Sequence, residues 1–155
     1  MTGQPVKVIA TNRKARHDYF IEDTFEAGLV LTGSEIKSVR AGQVNLKESY
    51  ALVRNNELWL VNAHIAAYKQ SGRDNHEPRR ERKLLLHRRE INRLTSKLQV
   101  KGLTLVPLQL YLKNSRAKIE VGLARGKKLY DKRQVMREET DRRQISRALG
   151  RRQKE

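Results

Sequence analysis

The sequence predicts a mainly β fold with flanking helices, followed by a basic C-terminal tail. Three observations carry this. Strand-length runs alternate apolar and polar residues, a period of two. Pairs of such runs are separated by short turn-forming segments. Past residue 125 the patterning stops: residues 126–155 hold 11 Lys or Arg against 5 Asp or Glu, a net +6, with only sparse apolar residues. That segment buries too little surface to offset its ordering entropy, so it is expected to be mobile when free and to order on a polyanion.

The elements follow in chain order. Residues 6–10 are a short apolar start. Residues 19–31 are long and β-prone, with Phe25, Ala27, Leu29 and Leu31 alternating against Glu26, Gly28 and Val30. Gly28 in the interior suggests a bend or bulge. Residues 32–42 read as a short helix, with Thr32 or Ser34 as N-cap, Ile36 and Val39 on one face, and Gly42 in the left-handed position after its end. Residues 50–54 and 57–61 form a hairpin around Asn55-Asn56, a pair that tolerates positive φ. A second hairpin joins 105–113 to 118–123 around Asn114-Ser115-Arg116-Ala117, with Leu108, Leu110 and Leu112 facing one way. Pro107 marks a strand edge or bulge there. Between the hairpins, Leu86, Ile91, Leu94 and Leu98 lie near one helical stripe ended by Gly102. Short strands, hairpins and one packing helix suggest a small closed barrel of the OB type; a β-sandwich or an open α+β sheet fits the pattern nearly as well.

Charge points to function. The chain of 155 residues carries a net +17, and removing the tail leaves +11 on residues 1–125. So lopsided a balance is the footprint of a nucleic-acid binder. There is no Cys, which excludes disulfides and thiolate metal sites. No run approaches a membrane span, and residues 1–5 lack a signal-peptide core, so a cytoplasmic protein without membrane association is expected. The four His are scattered, and His87-Arg88-Arg89-Glu90 reads as an ordinary helix surface. Gly122-Leu123-Ala124-Arg125-Gly126-Lys127-Lys128 fails as a phosphate loop, with three residues between the glycines and Lys128 where Ser or Thr should hold magnesium. No nucleophile, base and oxyanion site assemble, so an enzyme is not expected, nor any metal or cofactor.

With Trp59, two Phe and five Tyr, aromatic stacking platforms are few. The expected ligand is therefore folded RNA, read by shape and phosphate contact with steep salt dependence. Candidate contacts cluster at Asn12, Arg13, Arg16 and His17; at Glu35, Lys37 and Arg40 on the short helix; and at Arg79-Arg80-Glu81-Arg82-Lys83 with Arg88-Arg89 around the long one. Glu26, in the exposed phase of its strand, either orders a neighbouring cation or accepts hydrogen bonds from a base or ribose. In the tail, a helix over about 132–149 would place Ile145 and Leu149 on one face, with Arg137, Arg142, Arg143 and Arg147 meeting phosphate. Its Glu138–Arg142 and Glu139–Arg143 pairs are worth about 0.2–0.5 kcal/mol each, too little to hold it alone in water.

Five blocks in order carry a family resemblance: Asn12-Arg13-Lys14-Ala15-Arg16-His17-Asp18-Tyr19, Phe25-Glu26-Ala27-Gly28, Glu35-Ile36-Lys37-Ser38-Val39-Arg40-Ala41-Gly42, Arg82-Lys83-Leu84-Leu85-Leu86, and Gly126-Lys127-Lys128-Leu129-Tyr130-Asp131-Lys132-Arg133. Together they resemble the SsrA-binding protein family, SmpB. The resemblance implies an OB-type barrel that binds the tRNA-like domain of transfer-messenger RNA. It implies delivery of that RNA, with elongation factor Tu, to stalled ribosomes by a monomer that performs no chemistry. It implies a tail that enters the decoding centre and empty mRNA channel of the small ribosomal subunit and becomes helical there. Asn12, Glu26 and Leu85 fall on positions the family associates with RNA binding. Gly126, Lys127, Lys128, Asp131, Lys132 and Arg133 match the root of the tail, linked to work on the ribosome. Tyr130 stands where some members carry His, and either ring stacks on a base. The rival class is a ribosomal structural protein with a basic extension.

Overall fold

The computed structural model describes residues 6–100 and 102–127. The tail positions Lys128, Tyr130, Asp131, Lys132, Arg133, Arg137, Arg142, Arg143 and Arg147, and the helix expected over 132–149, lie outside them.

Among the described residues the strands are β1 (Val6–Thr11), β2 (Tyr19–Leu29), β3 (Val44–Asn45), β4 (Tyr50–Arg54), β5 (Glu57–Val61), β6 (His64–Ile65), β7 (Arg82–Leu85), β8 (Leu103–Lys113) and β9 (Arg116–Gly126). The helices are α1 (Arg13–Asp18), α2 (Gly33–Arg40) and α3 (Arg88–Leu98), with a 3-10 segment at Lys69–Asp74. Six strands pair in a closed ring in the order β8, β4, β5, β7, β2, β9, and β9 returns to β8. This closure decides between the architectures that the alternation alone left open. β1 adds to β8 outside the ring, and β3 pairs with β6 separately.

The ring encloses the main core. Leu58, Leu60, Leu84, Leu105, Leu110, Ile119 and Val121 are all at most 1% exposed, and α3 adds Leu94 while α2 adds Val39. Each such side chain contributes about 1.5–3 kcal/mol by leaving water. A second, smaller cluster lies outside the ring, where Ala15 of α1 packs on Val106, Leu108 and Ala124. This cluster corrects the expected facing of Leu108. A bulge between Pro107 and Gln109 adds one residue to β8, so Leu108 joins the outer cluster and Leu110 the inner core. The bulge foreseen at Pro107 is present; its effect on phase was not visible in the alternation. Leu108 and Ile21 press on Gly122, where a Cβ would stand 3.0 Å from Leu108 Cδ1 and 3.2 Å from Ile21 Cγ2.

Of the bend or bulge expected at Gly28, the bulge is not found there. The irregularity in β2 falls between Ile21 and Asp23. Gly28 is instead where β2 passes from one partner to the other, opposite Lys118 on β9 and Leu85 on β7. The expected turns form. Asn55 and Asn56 hold φ of 54° and 60°, and the second hairpin tightens to Asn114 and Ser115 at 53° and 65°, with Arg116 and Ala117 drawn into β9. α2 carries a full capping box, Thr32 accepting from the Glu35 amide and Glu35 accepting from the Thr32 amide, and Gly42 follows it at φ 75°. α1 was not foreseen: the basic run hid a six-residue helix whose N-cap is Asn12.

Candidate nucleic-acid interface

The outward phase of β2, β9 and β8 builds one surface. Register places Glu26 opposite Glu120, and Glu120 opposite Gln109; one step along, Gly28 faces Lys118 and Lys118 faces Tyr111; at the hairpin end Lys113 faces Arg116. Two like charges directly opposed are unfavourable unless each has a cation. Arg16 on α1 reaches Glu120 at 3.2 Å. Glu26 accepts from the Tyr111 hydroxyl and lies 3.5 Å from Lys113 Nζ. The Tyr111 hydrogen bond holds the Glu26 carboxyl below its ordinary 4.5, so it is an ionised acceptor at neutral pH. Burial and this carboxylate push the Tyr111 phenol well above its usual range, so it remains a donor.

Gly28 opens the next part of the face. With no side chain there, Leu85 on the facing strand stands 53% exposed in a cleft of about 410 Å³ shared with Glu26, Leu86, His87, Glu90 and Lys118. A second cleft of about 410 Å³ runs from Gly28 and Leu85 to Thr32, Gly33 and Ile36 at the start of α2. A third, lined by Glu26, Lys113, Asn114, Arg116 and Lys118, continues to the hairpin tip. The result is a carboxylate and an apolar knob ringed by Lys113, Arg116 and Lys118. Cations meet phosphate, while the carboxylate takes only hydrogen-bond donors.

The residues singled out in the sequence separate on this frame. Glu26 and Leu85 line one cleft; Arg16, outside that lining, pairs with Glu120, the residue opposite Glu26; Lys83, two residues before Leu85 on β7, pairs with Glu57 at 3.0 Å. Arg13 and His17 are exposed on α1. Lys37 and Arg40 are exposed on α2, with Lys37 Nζ 5.7 Å from the Tyr68 ring centroid. Gly126 ends β9 opposite Tyr19, and Lys127 Nζ lies 3.5 Å from the Arg16 carbonyl and over the Phe20 ring at 5.2 Å. Among the described residues Phe20 and Tyr50 are the large aromatics most exposed, at 44% and 43%, whereas Phe25 and Tyr111 are buried.

Two expected contacts are corrected. Glu35 is 0% exposed and cannot touch RNA directly. It is the centre of a buried network: Arg82 Nε at 2.5 Å, Arg80 Nη2 at 2.6 Å and the Thr32 amide at 2.9 Å. Burial alone would raise its carboxyl, but these donors outweigh it and hold the group at about 2. Arg82, also 0% exposed, spends its other donors on the Ala63 and Pro78 carbonyls. Within the basic run 79–83, Arg82 is therefore fold-building, while Arg80 pairs with the same carboxylate and stays part-exposed. Asn12 is 5% exposed; its Oδ1 accepts from the Ala15 amide at 3.1 Å, and its Nδ2 donates to the Pro107 carbonyl at 2.9 Å and the Leu46 carbonyl at 3.3 Å. Asn12 acts by seating α1. Conversely, Tyr111, Lys113, Arg116 and Lys118 were missed. The outward phase of Tyr111, Lys113 and Lys118 was legible, whereas Arg116 was expected in the turn, and only register puts the four around Glu26.

Among the described residues no group of three His, Cys, Asp or Glu could hold a metal ion, and no helix is long and apolar enough to cross a membrane. A closed ring of strands with a cation-ringed acceptor face defines a nucleic-acid-binding protein of mostly β structure. The sequence profile described as SmpB protein matches residues 9–151, so the chain belongs to the SmpB family. It is 65% identical over 144 residues to the SsrA-binding protein of Roseiflexus castenholzii, covering 92% of this chain and 91% of that one. It is 62% identical over 151 residues to the SsrA-binding protein of Chloroflexus aggregans, covering 97% and 96%. A solved chain from "tmRNA-SmpB: a journey to the center of the bacterial ribosome" shares 51% identity and a TM-score of 0.65, over 76% of this chain and 83% of that chain.

Proposed function

We propose that this protein is the RNA-binding adaptor of trans-translation. It binds the tRNA-like domain of transfer-messenger RNA with its β2–β9–β8 face and carries that RNA to stalled ribosomes. The observation that carries this is the face around Glu26 and Leu85, a donor-seeking carboxylate and an apolar knob inside a ring of cations, in a chain of the SmpB family. Shape and backbone contacts suit a folded RNA. The division of labour places recognition in residues 1–125. Residues 126–155 are reserved for the decoding centre and the mRNA channel, with Gly126 and Lys127 launching the segment beside α1. The protein works in the cytoplasm as a monomer, is delivered with elongation factor Tu, and performs no chemistry of its own: it positions.

Fractionating ribosomes tests this. An adaptor is substoichiometric on translating ribosomes and enriched on ribosomes stalled at the end of a truncated message. One copy on every ribosome would make it a structural component instead.

A further inference from the structure

Glu26 stands among flexible cations, yet its principal partner is a rigid one. Lys113, Arg116 and Lys118 border it, and any of these long side chains could draw the carboxylate down onto the sheet. Tyr111 comes from β8, two strands away across β9, and is 6% exposed, so packing fixes where its hydroxyl sits. That hydroxyl occupies one lone pair of Oε2, and Lys113 sits at 3.5 Å from Oε1. The other lone pairs stay available on a side chain that is 41% exposed. An ionised carboxylate is acceptor-only and repels phosphate. What it takes from an RNA is a hydrogen-bond donor.

We propose that Tyr111 is a positioning residue: the hydroxyl of its packed ring aims the Glu26 carboxylate outward as the acceptor for an RNA donor, a ribose 2′-hydroxyl or a nucleobase N–H, while Lys113 and Lys118 meet the neighbouring phosphates. The proposal rests on the reading that this face binds transfer-messenger RNA. It goes further in assigning Tyr111, which none of the sequence motifs includes, and in fixing the ligand chemistry at Glu26.

The test is a double-mutant cycle in the full chain, with Tyr111→Phe, Glu26→Gln and both together, reading affinity for transfer-messenger RNA and for bulk tRNA, with thermal melting of each variant. A charge-assisted hydrogen bond to RNA is worth roughly tenfold in affinity. Tyr111→Phe should approach that loss in the wild-type background and cost less than about twofold once Glu26 is Gln, with affinity for bulk tRNA unchanged. Equal losses in both backgrounds would mean that Tyr111 acts through general packing and overturn the proposal, as would a Tyr111→Phe protein that binds like wild type while Glu26→Gln binds weakly. If Glu26→Gln itself binds like wild type, the reading of the face fails, and the proposal with it. Repeating the Glu26→Gln comparison with a 2′-deoxy-substituted tRNA-like domain separates the donors: the penalty disappears if the ribose hydroxyl is the partner and persists if a base is.

Discussion

Asn12 and Leu85 show how single residues on this surface divide between building and reading. Asn12 satisfies three buried backbone groups with one side chain. Asn12→Ala therefore removes an N-cap and strands the Pro107 carbonyl, at a cost of about 1–3 kcal/mol. Denaturant melts should show the loss, and RNA affinity should fall with it as α1 loosens and Arg16 loses its seat over Glu120. Leu85 is the reverse case. Exposed at 53%, it adds little to the core, so Leu85→Asp should change stability by no more than about 0.5 kcal/mol while weakening RNA binding. Melting and binding measured on the same two variants separate the roles. The sequence marks both residues as worth attention but does not distinguish them. An Asn before a basic run reads as surface until the β8 bulge brings Pro107 beneath it, and a Leu in an apolar run reads as core until Gly28 is seen to face it.

At the scale of elements, the Glu35 network ties α2, β7 and the segment between β6 and β7 into one unit. Removing the carboxylate leaves Arg82 buried and unpaired, so Glu35→Ala should destabilise by about 3–5 kcal/mol. The same network sets an acid limit. The Glu35 carboxyl titrates at about 2 in the fold and near its ordinary 4.5 when unfolded. Its stabilisation is therefore complete above about pH 4.5 and is lost as pH falls toward 2, because below that window both states are protonated. Urea midpoints of wild type should fall through that window, and those of Glu35→Gln should fall less. The N-cap of α2, expected at Thr32 or Ser34, and the Asn-rich turns were legible because their chemistry is local; the return bond from Glu35 that completes the capping box was not. Arg82 was not, because whether a cation faces solvent or a buried acid depends on which strands neighbour β7, and that is fixed by ring closure over long sequence separation. Likewise α1 escaped notice because a six-residue, mostly basic segment shows no apolar period; only Ala15 packs.

For the whole molecule, a net charge of +17 makes affinity for any polyanion high and steeply salt-dependent. Charge alone does not select one RNA from another; the acceptor and the apolar knob must do that. Lys118→Ala should lower affinity for every RNA and reduce the slope of log K against log salt by about one, whereas Leu85→Asp should act on selectivity. The mainly β class and the basic extension were visible in patterning and charge. The ring, the phase change in β8 and the assembly of Tyr111 and Lys118 around Glu26 needed the register between strands.

The central claim is that the β2–β9–β8 face reads a particular folded RNA. Its most direct test is the affinity of the full chain, wild type and Leu85→Asp, for transfer-messenger RNA against a large excess of bulk tRNA, across a salt series. The account expects wild type to keep transfer-messenger RNA against the competitor as salt rises, and Leu85→Asp to bind both RNAs alike. Wild-type binding that the competitor abolishes, or a Leu85→Asp protein as selective as wild type, would contradict it.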